Sequence, residues 1–254
     1  MKESKRNKKG KVYLVGAGPG DPGLITIRGK EIIQGADVII YDRLVNPALL
    51  ESARSGCERI FCRRGVADPE NQQLKINELM LTKAMEGRTV VRLKGGDALL
   101  FGRGAEEAEY LIENGIACEI VPGITSALAV PTCAGIPLTH RLFSSSVAIV
   151  TGHRKRDYEH KPQNWEKLAS AVDTIVILMG VSNLPSIVDE LLRHGKKEDT
   201  PVAIIEWGTT PKQKIVTGNL GNIVSTAFKN KIAPPAVIVI GEVVKLHKKI
   251  KNHL

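Results

Sequence analysis

Two glycine-rich stretches of this chain stand beside carboxylates, a pairing suited to holding a small ligand against bare backbone. The first is Gly16-Ala17-Gly18-Pro19-Gly20-Asp21-Pro22, which follows an apolar run and opens helical spacing. Glycines there permit a tight turn and let a ligand approach backbone N–H groups. A dinucleotide fingerprint, G-x-G-x-x-G, needs glycine where Asp21 stands; yet Asp42 lies 22 residues after Gly20, near where such enzymes keep the acid that binds a ribose. Taken alone, these residues leave a nicotinamide cofactor and any other nucleoside equally open. A P-loop fits less well, because five residues separate Gly23 from Gly29-Lys30 and Glu31 replaces the magnesium-binding Ser or Thr. Pro19 and Pro22 remove amide donors, which favours a rigid shaped loop over a phosphate cradle.

The second stretch is Arg92-Leu93-Lys94-Gly95-Gly96-Asp97, with Phe101-Gly102-Arg103-Gly104-Ala105-Glu106-Glu107 opening the next helix. Two glycine loops at the carboxyl ends of strands in one sheet converge on one ligand. Asp97, a carboxylate between glycines and an apolar run, is not core material and suits acceptance from a ligand amine or hydroxyl.

The elements that must position these residues are short apolar, β-branched runs: Val12 to Val15, Val38 to Tyr41, Arg59 to Cys62, Thr89 to Leu93 and Cys118 to Val121. Helical spacing lies between several of them, at Leu24 to Gln34, Gln72 to Met85 and Arg103 to Glu113. The alternation predicts a mostly parallel sheet flanked by helices. After Pro137 the pattern restarts, with strands at Val147 to Val150, Thr174 to Leu178, Val202 to Glu206, Lys214 to Thr217 and Ala236 to Ile240. Helices are expected near Trp165 to Ala169, Leu184 to Arg193 and Leu220 to Phe228. Two β-like runs joined through Pro211-Lys212 predict a hairpin, hence an antiparallel element. The fold class is therefore two α/β domains with mixed, mostly parallel sheets. The first is expected over 11–139 and the second over 140–245, with a boundary near 138–144.

The 254 residues, 43% of them hydrophobic, suffice for substantial cores. The net charge of +9 would ordinarily raise nucleic acid as a partner, but the ten basic residues in 1–11 and 245–254, against Glu3, carry the whole excess. These ends, 1–10 and 246–254, are expected to be disordered basic tails, and the balanced body gives RNA little to hold. Cys57, Cys62, Cys118 and Cys133 form no C-x-x-C pair and no metal spacing with the six histidines, which fits a reducing cytoplasm and no metal. The apolar run after the basic start ends at Gly16, too short for a secretion signal, and nothing is long enough for a membrane span.

Five ordered motifs carry a resemblance: Val15 to Thr26, Tyr41 to Val45, Arg92 to Glu107, Val121 to Ala127 and Ala134 to Arg141. Further matches run through Thr151-Gly152-His153, Met179-Gly180, Gly208 to Gln213 and Pro234-Pro235-Ala236, covering essentially 11–245. The pattern resembles the uroporphyrinogen-III C-methyltransferases of the tetrapyrrole methylase superfamily. The resemblance implies a cytoplasmic homodimer with its active site in the cleft between two α/β domains. It also implies methylation of uroporphyrinogen III at two pyrrole carbons (C2 and C7), giving precorrin-2 for sirohaem or cobalamin. The methyl donor would be S-adenosylmethionine, with S-adenosylhomocysteine as its product.

By the same resemblance Pro19, Gly95, Gly96, Asp97, Thr125, Ser126, Met179, Gly208 and Ala236 are the cofactor positions. Plainer readings stand beside them: Met179 as gap-filling core, Ala236 as buried strand, Thr125 and Ser126 as helix caps. A sulfonium methyl is already activated, so the protein need only align it with the ring carbon and exclude water. Attack leaves positive charge on the pyrrole and a proton to be lost, and Asp42 is the candidate base and counter-charge. Its plainer reading is a pair with Arg43 or a cap on the following turn. Arg43, Arg63, Arg64, Arg103, His140 and Arg141 are candidate partners for the eight substrate carboxylates.

The chain departs from the family where Phe61-Cys62-Arg63-Arg64-Gly65 replaces F-x-G-K-R-G, which makes a general acid there doubtful and leaves an electrostatic role. Ala98-Leu99 replaces Pro-Phe and Ala105 replaces glycine. A later corrin-pathway methyltransferase, a ribosomal RNA methyltransferase, a nicotinamide oxidoreductase and a non-catalytic binding protein are the competing readings.

Overall fold

The first five apolar runs become strands of one sheet and the last five of another, in a computed structural model that describes residues 9–62, 69–152 and 163–251. The chain divides into two units at Thr125/Ser126. The first carries β1 (Lys11–Gly16), β2 (Val38–Asp42), β3 (Glu58–Cys62), β4 (Thr89–Lys94) and β5 (Ala117–Val121) in the order β3-β2-β4-β1-β5. All four pairings are parallel. Helices α1 (Ile27–Gly35) and α2 (Ala48–Glu51) give Ile32, Ile33, Leu49 and Leu50 to one face. Helices α3 (Pro69–Met85) and α4 (Gly104–Glu113) give Ile76, Met80, Ala108 and Leu111 to the other. Successive strand residues face opposite ways, so Val91 and Leu93 join the first core and Val90 the second.

The second unit has β6 (Val147–Thr151), β7 (Thr174–Leu178), β8 (Pro201–Glu206), β9 (Lys214–Asn219) and β10 (Ala236–Ile240) in the order β6-β7-β10-β8-β9. Only β6 and β7 pair in parallel; β10 runs antiparallel to both neighbours, and β8 and β9 form the expected hairpin around Pro211-Lys212. One face is covered by α6 (Trp165–Ala171), α7 (Leu184–Arg193) and α8 (Ile223–Lys229). Leu184, Ile187, Val188 and Leu191 of α7 recur at helical spacing and are buried. The other face is covered by α5 (Ser126–Cys133), through Ala127 and Val130, and by Val243 and Val244 near the end.

Three expectations need correction. The boundary lies before α5 rather than near 138–144, because α5 packs on the second sheet; Pro131 inside it hid the helix. The 246–254 segment is not a frayed tail as far as it is described: α9 (His247–Lys251) follows the last turn, and the buried His247 places Nδ1 2.6 Å from the Ala134 carbonyl oxygen. At the other end, residues 1–8 of the 1–10 tail lie outside the described residues, while Gly10 donates to the Ala84 carbonyl at 2.8 Å and Lys9 to that of Gly115 at 3.2 Å.

Candidate active site

In a parallel sheet every strand ends on the same side, so the loops after β1, β2, β4 and β5 gather at one end of the first unit. There the turns that follow β1 and β4 form a two-way bridge: Gly96 donates to the Gly18 carbonyl at 2.7 Å and Gly18 returns to Gly96 at 3.1 Å. The loop after β5 closes on the same point. A Cβ on Gly123 would lie 2.4 Å from the Gly96 oxygen and 2.5 Å from the Gly16 Cα, so only backbone fits where the three loops meet.

Asp97 fastens this junction. Its Oδ1 accepts from the Leu99 and Leu100 amides at 2.9 and 3.0 Å, and its Oδ2 accepts from the Gly123 amide at 3.1 Å. Burial pushes its carboxyl up, but these amides outweigh burial and hold it below the usual aspartate range. The residue thus shapes the loop with the oxygens that were expected to meet a ligand. Gly95 lies beside the turn after β2, where its Cβ would come 3.0 Å from that of Leu44. Pro19 and Thr125 belong to the same set of loops.

Asp42 closes β2, and its partner is Arg92 on the neighbouring β4, not Arg43. Register places Ile40 opposite Arg92, and Arg92 Nη2 donates to Asp42 Oδ1 at 2.6 Å. The exposed Arg43 stands next to it. Arg92 Nε also reaches Glu107 Oε1 on α4 at 3.2 Å, and Lys94 Nζ reaches Glu107 Oε2 at 2.8 Å. Gln73 on α3 donates to Glu107 Oε1 at 3.0 Å and to Asn77 at 3.1 Å. Arg92, Lys94 and Glu107 are at most 2% exposed, whereas the Asp42 side chain is 18% exposed. Burial pulls the Arg92 guanidinium down, but Glu107 and Asp42 more than restore it; burial leaves the Lys94 ammonium below its ordinary value despite Glu107.

None of this network was expected from the sequence. Its signal was the pair Arg92 and Lys94, which face the same way inside an otherwise apolar strand and must find buried counter-charges.

In the second unit the antiparallel β10 sets the geometry. Register puts Val237 opposite Leu178 and Ala236 opposite Glu206, so the start of β10 adjoins the ends of β7 and β8. Ala236, Met179 and Gly208 are thereby brought to one end of the sheet. Met179 is 53% exposed, which rules out the gap-filling reading. Gly208 is packed on α5, where a Cβ would lie 2.3 Å from Val130 Cγ1.

The flanking turn is held by Trp207 donating to the Pro235 carbonyl at 3.0 Å and by Gln213 Oε1 accepting from the Thr209 amide at 2.9 Å. Of the six described non-glycine residues with left-handed backbone, Phe101, Arg103, Met179 and Thr209 lie in motif loops and Trp207 directly precedes one. Such strain gathers where function holds it in place.

Other expected residues are placed differently. Arg103 caps α4 and donates to Glu106 and, at 2.9 Å, to Glu70, so its charge is already paired. Ser126 is the first residue of α5. His140 bridges Ser144, stacks on Phe143 at 4.8 Å and accepts the Leu142 amide at 3.2 Å. Because Ser144 bonds Thr174 at the start of β7, that turn and the exposed Arg141 belong to the opposite end of the second sheet from Met179. Arg63, Arg64 and His153 lie outside the described residues. Among the described residues no group of His, Cys, Asp and Glu could hold a metal ion, and no helix is long and apolar enough to cross a membrane.

By fold and site the chain falls in the class of α/β proteins that hold a small ligand on loops at strand ends. Residues 11–224 match the family described as Tetrapyrrole (Corrin/Porphyrin) Methylases. A uroporphyrinogen-III C-methyltransferase of Priestia megaterium is 53% identical over 235 residues, covering 92% of this chain and 98% of that one. An S-adenosyl-L-methionine-dependent uroporphyrinogen III methyltransferase of Methanosarcina barkeri is 50% identical, covering 94% and 93%. A Thermus thermophilus uroporphyrin-III C-methyl transferase, solved with S-adenyl homocysteine, superposes with a TM-score of 0.79 at 38% identity, covering 93% and 94%. The chain belongs to the tetrapyrrole methylase family.

Proposed function

We propose that this chain transfers methyl groups from S-adenosylmethionine to two pyrrole carbons of uroporphyrinogen III, giving precorrin-2. The observation that carries the reading is likeness along nearly the full length of relatives bearing that activity in their names. The backbone junction of Gly16, Gly96 and Gly123, which leaves no room for side chains, holds the three loops at one point. Pro19, Gly95, Gly96 and Thr125 in the first unit, with Ser126, Met179, Gly208 and Ala236 in the second, would hold the methyl donor. Asp97 would act on it by shaping the loop. When bound, S-adenosylmethionine supplies an electrophilic methyl group that needs no metal.

The chain's own part is alignment, exclusion of water and charge. The Asp42 carboxylate balances the positive charge that arises on the pyrrole. It then takes, at Oδ2, the proton lost from the neighbouring carbon. Among the described residues Oδ2 accepts no hydrogen bond, since Arg92 occupies Oδ1. Arg43, together with Arg103 despite its acidic partners, would receive substrate carboxylates; Arg63 and Arg64, after β3, are proposed for the same role. His140 and Arg141 are proposed for the same role. A homodimer in the cytoplasm completes the reading, with the product entering sirohaem or cobalamin synthesis.

Anaerobic incubation with uroporphyrinogen III and S-adenosylmethionine tests it by mass spectrometry. The expected product is heavier by two methyl groups. An unchanged mass, or calorimetric binding of NAD(H) or NADP(H) without S-adenosylmethionine, would overturn it.

A further inference from the structure

The first unit contains a charge cluster that the fold alone does not require. Two cations, Arg92 and Lys94, and two carboxylates, Glu107 and Asp42, form one connected and formally neutral group. Burying charges is costly even when they are paired, and apolar residues of similar volume commonly serve a core as well or better. Three of the four are sealed between β4, α3 and α4, and the cluster reaches solvent at Asp42. It is therefore built from the interior toward one carboxylate at a loop end.

We propose that Arg92 is a positioning residue for methyl transfer. Anchored from behind by Glu107 and, through Glu107, by Lys94, it pins one oxygen of Asp42 and leaves the other for the substrate. This rests on the reading that Asp42 takes part in the chemistry. The pin is rigid. Arg92 Nη1 also donates to the Ile40 and Leu93 carbonyls at 3.3 and 3.4 Å, and Nε is held by Glu107, so the guanidinium plane is fixed on several sides. Glu107 is itself held by Lys94 on Oε2 and by Gln73 on Oε1.

The groups around Asp42 are Arg92 and Lys94 from β4, Glu107 from α4, Cys62 opposite it on β3, the neutral Gln73 and Asn77 from α3, and Arg43 on its own turn. Removing Arg92 leaves two carboxylates against Lys94 within the cluster. The Asp42 carboxylate then loses the donor that fixes its Oδ1.

The test uses the full chain, with S-adenosylhomocysteine binding by calorimetry as a check of folding. Arg92→Met is expected to bind S-adenosylhomocysteine as the parent does and to keep KM for uroporphyrinogen III within about twofold. Its kcat should fall about 10- to 100-fold, the scale of losing alignment at the reacting centre. Arg92→Lys keeps the charge with fewer donors, and should restore part of the loss, with kcat down less than about tenfold. If the Met variant does not fold, Arg92→Gln, equally neutral but able to hydrogen-bond, carries the same expected fall in kcat at nearly unchanged KM. A folded neutral variant with parental kcat overturns the proposal. Asp42→Asn separates the two layers: full turnover in that variant removes the catalytic reading of Asp42, whereas slow turnover beside unaffected Arg92 variants removes only the positioning role.

Discussion

The first unit buries Arg92, Lys94 and Glu107 together with Gln73 and Asn77; the described part of the second buries only Ser144, Thr174 and His247 among polar side chains. Both use a five-stranded sheet covered on two faces, so architecture does not account for the contrast. The first unit has invested in charge beneath one strand-end loop. The second has invested in backbone shape, with Met179, Trp207 and Thr209 in left-handed conformations around the packed Gly208. Similar folds can thus differ at their strand ends, with buried charge beneath a glycine junction in one and a packed glycine among left-handed turns in the other.

The largest effect that would break this contrast lies in the two cores. Glu107→Ala strands two cations and is expected to destabilise by about 3–5 kcal/mol. Ile177→Ala, at a fully buried site in the second unit, is expected to cost about 2–5 kcal/mol through its cavity. Denaturant midpoints measure both, and a Glu107→Ala cost below about 1 kcal/mol would mean the first unit's charges are not coupled as their distances indicate.

A smaller effect sharpens the contour half. Gly208→Ala drives a methyl group into Val130, with an expected cost of about 1–3 kcal/mol from overpacking. Weaker binding of S-adenosylhomocysteine should accompany it; unchanged binding would show that the second unit's loop shape is not used.

The smallest effect compares acid sensitivity. Asp97 is held low by backbone amides despite burial, and Asp173 in the second unit is held low first by the Ser145 amide and then by the Ser146 and Ser145 hydroxyls. A carboxylate lowered on folding adds stability above its unfolded value, about pH 3.9, and that stability is lost as pH falls through the folded value. Asp97→Asn and Asp173→Asn should each flatten the decline of Tm with pH below about pH 4. An unflattened decline in the Asp97 variant would remove its role as the loop fastener.

Much of this was legible in the sequence, and its limits have physical causes. The strands showed themselves through β-branched runs, and the loops through glycines that only close backbone contact requires. The Pro211-Lys212 hairpin was legible because no helix fits between its strands. Asp42 was legible as a candidate, but Arg92 lies fifty positions further on and meets it only through sheet order, which local spacing does not encode. Helix α5 was hidden by Pro131 and by its lack of charged residues, and the antiparallel direction of β10 left no mark on its apolar run. His140 and Arg141 were named by motif alone, and only the fold shows Ser144 anchoring their turn at the start of β7.

The closing helix bears on where the chain can be shortened. Sequence composition alone invites a cut at residue 245, at the start of the lysine-rich end. Such a cut would strip His247 from the Ala134 carbonyl and remove α9 just after the buried Val243 and Val244. An affinity handle or a fusion partner therefore belongs after Lys251, where it leaves the second core closed.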